Sequence, residues 1–337
     1  MRVGILGAGA VGGVIAALLD RAGHDVEVTA RGGNLVALQR DGLRLTGAWG
    51  DHTAMVTANE VLAGRPEIVF VTTKAQDAIG AITANRAAIT GATLVIVQNG
   101  LDGISNARRA SADAPIVGAL ALFAASLVSP GAVTVTAANS MTLGTAADAA
   151  TDNHAGDGRL ERVAALLEGV LPVDVVDDFA GAQWTKLIIN QVNALPAATG
   201  LSVQEVIADS GLRSVLVAGM QEATRIGKTR VTRFGTLQGL SDRRLRLFAR
   251  VPRRLAATLP LALARRMGET PNPGSTLQSI RRGQPSEIDY LNGAVVRAAS
   301  ETGSTAPINA AIVELVREVE RTGRFFTPAE VVARVPH

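Results

Sequence analysis

The chain has 337 residues, 47% hydrophobic and 19% charged, with 33 Lys and Arg against 30 Asp and Glu for a formal net charge of +3. That length and apolar content support two ordinary cores, and so thin a basic excess argues against a nucleic-acid partner. The lack of cysteine removes disulfide frameworks, thiolate metal sites and cysteine nucleophiles together, and suits a reducing, cytoplasmic setting.

Residues 2–6 read as a β-rich apolar strand, 7–12 as a glycine turn and 11–22 as an Ala/Leu helix. A second strand is predicted over 25–30, and continuous apolar runs at 67–73, 93–98 and 115–122 add further strands. Continuous rather than alternating hydrophobicity predicts strands buried on both faces, so the first half reads as a doubly wound α/β sheet of the Rossmann type. The N-terminal apolar run is broken by the turn glycines and does not read as a secretory signal. The longest apolar stretch, 115–128, is too short to span a bilayer, so no membrane partner is expected.

Over 133–176 the pattern shifts to shorter alternating strands, an Ala/Asp/Gly-rich loop at 145–158 and a helix near 160–169. From Phe179 onward the periodicity is helical, broken at Pro196, Pro252, Pro260 and the 271–274 turn. Two domains are therefore expected, 1–177 binding nucleotide and 178–337 an all-α substrate and catalytic domain. The arginines from Arg243 to Arg266 read as a solvated amphipathic face, with a membrane-surface helix as the alternative.

The turn Gly7-Ala8-Gly9-Ala10-Val11-Gly12 carries the first chemistry. Gly7 permits the tight turn, Gly9 lets backbone approach a pyrophosphate, Gly12 allows close helix–strand packing, and the helix N-terminus supplies N–H groups and positive dipole. The tip of the second strand offers Arg31 where an NAD enzyme has a carboxylate, which predicts NADP(H), while Glu27 lies within the strand and points away. Lys74 and Asn99 follow later strands, at the carboxyl edge where ligands bind in such sheets.

In the second half, Lys186, Asn190 and Asn193 are spaced four and seven apart, which puts a cation and two amides on one stripe of a mostly apolar helix. A solvated polar stripe is the alternative reading. Downstream come Asn272-Pro273-Gly274-Ser275-Thr276-Leu277-Gln278 and Gly283-Gln284-Pro285-Ser286-Glu287-Ile288-Asp289-Tyr290-Leu291-Asn292-Gly293. By themselves these read as turns and helix starts. His24, His52, His154 and His337 are scattered without ligand spacing, so no metal site is expected.

Together these segments resemble the ketopantoate reductase family. The resemblance rests on the glycine turn, the Lys and the Asn-Gly after two strands, Lys-x-x-x-Asn on a helix, Ser-x-Leu-Gln, and Ser-Glu-Ile-Asp-x-Leu-Asn-Gly. It implies NADPH-dependent reduction of a small 2-oxo acid, ketopantoate in the family, as a step towards pantothenate. Lys186 would be the catalytic acid, and Asn190, Asn272 and Ser275 would bind substrate. Glu287 would hold the substrate hydroxyl or the lysine, and Asn99 and Lys74 the cofactor or substrate. Many members carry a second Asn eight residues after the Lys; here that place is Ala194, and Asn193 stands one step earlier. The 228–270 segment is Arg-rich and longer than usual, and no oligomer is fixed, a homodimer being one option. Two rivals are a β-hydroxyacid dehydrogenase, whose Gly-rich lead-in before the lysine is missing, and an NADP(H)-binding sensor that needs no lysine constellation.

Overall fold

The computed structural model describes residues 1–145, 158–267 and 271–336. The chain forms two compact units, Met1–Phe179 and Ala180–His337. In chain order the strands are β1 (Arg2–Leu6), β2 (Asp25–Thr29), β3 (Leu43–Gly47), β4 (His52–Ala54), β5 (Thr57–Asn59), β6 (Ile68–Val71), β7 (Thr93–Ile96), β8 (Ile116–Ala121), β9 (Ala124–Ser129), β10 (Ala132–Ala137), β11 (Met141–Gly144) and β12 (Val173–Val175).

The main sheet runs β12-β11-β8-β7-β6-β1-β2-β5. From β5 across to β8 every neighbouring pair is parallel. Strands β6 and β7 are buried along their whole length, which the continuous apolar runs require. One core joins the Ala10–Arg21 helix to β2, β3 and β10 through Val14, Ile15, Leu18, Leu43, Leu45 and Val133. The other face is packed by Ile82, Ile89, Ala107 and Ala110 against Leu6, Val69, Leu94 and Ile96. The expected α/β arrangement followed by helices is the one found.

Two features depart from the sequence reading. β11 pairs antiparallel with β8, so the sheet is parallel only in part. β3, β4, β9 and β10 leave the main sheet altogether and form a second sheet, ordered β4-β3-β10-β9. Leu43 and Leu45 are buried while Arg44 between them is exposed, the alternation of a strand with one covered face, which marks a strand but not its partner. The Ala10–Arg21 helix packs directly against β10, and a Cβ on Gly13 would come within 2.8 Å of Val133 Cγ1. The predicted 145–158 loop lies almost wholly outside the described residues.

Helices make up the second unit. Phe179–Asn190 runs into a 3-10 turn, Gln191–Asn193, and then Ala194–Thr199. The long Ser210–Arg230 helix starts at Asp209, whose side chain accepts from the Leu212 amide at 2.8 Å. Against it pack Asn292–Glu301, Pro307–Thr322 and Pro328–Arg334. The Arg-rich stretch breaks into Asp242–Phe248, Arg253–Ala256 and Thr258–Met267. Its Leu245, Phe248 and Ala256 are buried, whereas Leu247 and Leu255 are more than half exposed.

Candidate active site

Strand β1 has β2 on one side and β6 on the other, so the chain order reverses there and the crevice beyond its carboxyl end is where ligands bind in open α/β sheets. The glycine turn occupies that place. Gly7 has φ +101°, a region closed to most side chains. Its amide donates to Thr29 Oγ1 at 3.0 Å, and its carbonyl accepts from Thr72 Oγ1 at 2.8 Å. Ala8 is held from both sides, its amide on the Thr29 carbonyl at 2.9 Å and its carbonyl on Asn34 Nδ2 at 2.8 Å. A Cβ on Gly12 would collide with the Gly7 carbonyl oxygen and Thr72 Oγ1. A Cβ on Gly9 would meet nothing within 4 Å, and no side chain caps the helix that Gly9 opens. Open space above a positively polarised N-terminus fits a pyrophosphate.

Arg31 follows the end of β2, is exposed, and stands at the N-cap of the Gly32–Asp41 helix. Glu27, buried in β2, accepts from the amides of Ala63 and Gly64 at 2.5 and 2.9 Å, so its carboxylate is spent inside the fold. Lys74, half-buried, caps the 3-10 turn Ala75–Asp77 beyond β6. Asn99 follows β7 and precedes Gly100, whose φ is +86°. Between these two, Gln98 Nε2 donates to the Thr73 carbonyl at 2.9 Å, while Gln98 Oε1 and Thr73 Oγ1 are buried without a partner among the described residues. Unspent polar atoms at the carboxyl edge of a sheet also suit a bound nucleotide.

In the second unit Lys186 and Asn190 lie on the Phe179–Asn190 helix and are half-buried. The Thr185 hydroxyl on that helix donates to the Gly235 carbonyl at 2.6 Å. Burial draws the Lys186 ammonium down from an ordinary 10.5 to about 8, against the opposing pull of the Glu287 carboxylate. Nothing in the sequence around Lys186 signals this desolvation, which comes from what packs around the helix. Glu287 precedes the 3-10 turn Ile288–Tyr290, and its carbonyl accepts from the amides of Tyr290 and Leu291 at 2.9 and 3.0 Å.

The helix stops at Asn190, so Asn193 is placed by a 3-10 turn and not by a continuous stripe at 100° per residue. It nonetheless lies beside the 272–275 segment. A Cβ on Gly274, whose φ is +70°, would stand 2.7 Å from Asn193 Oδ1. Asn272 Oδ1 accepts from the Gly274 amide at 2.9 Å, closing the turn that starts the Gly274–Arg281 helix. Ser275 is exposed in the first turn of that helix. Gln204, which the sequence reading passed over, fixes this corner by accepting from the Asn272 amide at 3.0 Å. Thr29, Thr72 and Asn34 were missed in the same way; for the two threonines the signal was a hydroxyl at a strand end, and Asn34, inside the Gly32–Asp41 helix, gave none.

The first unit thus builds a turn suited to a nucleotide, and the second holds a desolvated lysine within electrostatic reach of the Glu287 carboxylate. These features define a nicotinamide-dependent oxidoreductase acting on a small molecule. Residues 3–148 match the family described as ketopantoate reductase PanE/ApbA, and residues 178–320 match its C-terminal counterpart. The chain belongs to this family.

It is 27% identical over 325 residues to a 2-dehydropantoate 2-reductase of Archaeoglobus fulgidus, covering 95% of this chain and 98% of that protein. To one of Mesorhizobium japonicum it is 28% identical over 352 residues, covering 95% and 98%. A PanE/ApbA family ketopantoate reductase structure from Ralstonia eutropha JMP134 superposes with TM-score 0.77 at 27% identity, covering 95% of this chain and 99% of that one. A D-mandelate dehydrogenase solved with NADH and anilino(oxo)acetate shares the fold, with TM-score 0.79 at 18% identity over 97% of this chain and all of that one.

Proposed function

We propose that the protein is an NADPH-dependent reductase of 2-oxo acids with 2-dehydropantoate as its preferred substrate, returning pantoate for pantothenate synthesis in the cytoplasm. The observation that carries this reading is Lys186, an ammonium held partly desolvated within electrostatic reach of the Glu287 carboxylate. The nicotinamide, when bound, supplies a hydride to the 2-oxo carbon. Lys186 Nζ then donates its proton to the carbonyl oxygen as negative charge develops there. A pKa of about 8 leaves most of the lysine protonated at neutral pH, yet makes it a far better proton donor than an unperturbed one. Glu287 keeps that proton in place and can accept from a hydroxyl of the substrate.

Asn190, Asn193, Asn272 and Ser275 hold the anionic end of the substrate. Asn272 Oδ1 is committed to the Gly274 amide, so its Nδ2 is the donor it offers. In the nucleotide unit, Gly7, Ala8, Gly9, Ala10, Val11 and Gly12 cradle the pyrophosphate. Arg31 meets the 2′-phosphate, a charge-assisted contact worth roughly 1.5–3 kcal/mol, and Lys74 and Asn99 hold the cofactor or the substrate. This division assigns residues 1–177 to the cofactor and 178–337 to the substrate and its chemistry.

The test is NADPH oxidation with 2-dehydropantoate against a panel of branched, unbranched and aryl 2-oxo acids. A clear kcat/KM maximum for 2-dehydropantoate is expected. A maximum for an aryl 2-oxo acid would transfer the assignment to mandelate-type chemistry, and tight NADPH binding without turnover on any acid would end it.

A further inference from the structure

Behind the lysine helix lies a buried polar chain that the proposed chemistry does not use. Glu222, in the middle of the Ser210–Arg230 helix, is 5% exposed. Its carboxylate accepts from the Ile308 amide at 3.2 Å, the Asn309 amide at 2.8 Å and Asn309 Nδ2 at 2.8 Å. It thereby caps the Pro307–Thr322 helix from outside, where negative charge meets the positive end of the dipole. From Asn309 the chain continues: Asn292 Nδ2 donates to Asn309 Oδ1 at 2.9 Å and to Gln191 Oε1 at 2.6 Å. Gln191 Nε2 closes it on the Leu187 carbonyl at 3.3 Å. Asn292 and Asn309 are fully buried, and Gln191 is 2% exposed.

The polarity of this chain is fixed from both ends: Asn309 Nδ2 donates to the Gly219 carbonyl at 3.2 Å as well as to Glu222, and the Leu187 carbonyl at the far end can only accept. An ionised carboxylate only accepts, so Asn309 must turn its NH2 to Glu222 and its oxygen to Asn292. Asn292 must then present its NH2, Gln191 its oxygen, and the Gln191 NH2 is left for Leu187. The chain ends at the residue after Lys186 and passes through the residue after Asn190. It also grips the opposite wall of the site, because Asn292 follows Leu291, whose amide is bonded to the Glu287 carbonyl at 3.0 Å. Asn292 Oδ1 is buried without a partner among the described residues, a cost tolerated in the middle of the chain.

We propose that Glu222 is a positioning residue which, through Asn309, Asn292 and Gln191, holds the Lys186–Asn190 turn at a fixed distance from Glu287. This rests on the catalytic reading of Lys186 given above. The two walls are on segments about a hundred residues apart in sequence, and displacement of a reacting group by about 1 Å costs on the order of a hundredfold in rate.

The experiment compares Gln191→Met, Glu222→Gln and Val316→Ala. Gln191→Met cuts the chain at its catalytic end and leaves the Glu222 helix cap intact, whereas Glu222→Gln changes the charge at the other end with little change in shape. Val316 is fully buried and lies outside the chain, so its alanine variant controls for plain loss of stability. Two readouts are taken: steady-state kinetics with NADPH and the 2-oxo acid panel, and the pH dependence of Lys186 labelling by an amine-reactive reagent, followed by peptide mass spectrometry.

For Gln191→Met and Glu222→Gln, kcat should fall about tenfold or more with the KM for NADPH unchanged. The Lys186 titration should move down as Glu287 loosens from it. Val316→Ala should lower Tm and leave both readouts alone. Wild-type kcat and an unmoved Lys186 titration in Gln191→Met would overturn the proposal. If the wild-type enzyme reduces no 2-oxo acid, it is the catalytic reading that fails, and the labelling curve alone decides the relay: displaced in the variants supports it, unmoved overturns it.

Discussion

Lys186→Met separates two consequences of one desolvated charge. The side chain keeps its apolar stem and loses the ammonium, whose pKa has been drawn from 10.5 to about 8. A depressed lysine pKa means that the folded protein binds fewer protons than the unfolded chain between those two values. Stability from this group therefore increases as pH rises through that window, and at neutral pH the ammonium costs the fold. At 1.36 kcal/mol per unit, reduced somewhat because Lys186 is not wholly buried, the cost is about 2–3 kcal/mol.

The variant should thus be more stable than wild type by about 2–3 kcal/mol at pH 7, with the gap closing as pH approaches 10. Its kcat should fall by about a hundredfold to ten-thousandfold, as loss of a proton donor does, at unchanged NADPH affinity. Denaturant titration at several pH values, steady-state kinetics and NADPH fluorescence quenching read the three quantities. Joint loss of activity and stability would show that Lys186 is an ordinary structural residue, and unchanged turnover would remove it from the chemistry.

Gly9→Ala should fold with an unchanged Tm and bind NADPH at least about tenfold more weakly, because its methyl group enters the space left for the ligand. Gly12→Ala should instead lose Tm in the free protein, since its methyl group strikes the Gly7 carbonyl; equal Tm for the two variants would remove this account of the cradle. Arg31→Asp should shift the NADPH to NADH ratio of kcat/KM by about tenfold to a hundredfold towards NADH, and a kept preference would leave Arg31 without a role in selection. Glu287→Gln removes the group that raises the Lys186 pKa, so the alkaline limb of the kcat profile should move to lower pH than in the wild-type enzyme. A profile that stayed in place would detach the two side chains.

What could be read from the residues alone depended on how locally each feature is determined. The glycine turn was legible because its requirements are steric and lie within six consecutive residues: positive φ at Gly7, open space at Gly9, contact at Gly12. Continuous apolar runs likewise gave the buried parallel strands. The second sheet escaped because β3 finds β10, which pairs Leu45 with Val133 across nearly ninety residues, and no local rule names a partner at that distance. The antiparallel step from β8 to β11 escaped because the β9–β10 pair, which belongs to the other sheet, comes between them in sequence.

In the site, chemistry-bearing residues were legible and their supports were not. Lys186, Asn190, Asn272 and Glu287 stand in recognisable short motifs, whereas Gln204, Gln191, Asn309 and Glu222 carry no motif and acquire meaning only through a bond partner. Even Asn193 was placed for an incomplete reason, since the helical stripe ends at Asn190 and it is the left-handed Gly274 that brings the two segments together. A lysine on an apolar helix also gives no hint of its pKa, because desolvation is set by what packs around it from elsewhere in the chain. The opposing pulls on Lys186, burial lowering its pKa and Glu287 raising it, come from different segments, so only their fixed separation sets the value. A donor tuned in this way is sensitive to any residue that sets the distance between the two walls, and that sensitivity is what makes buried groups remote from the substrate legitimate targets for altering the rate.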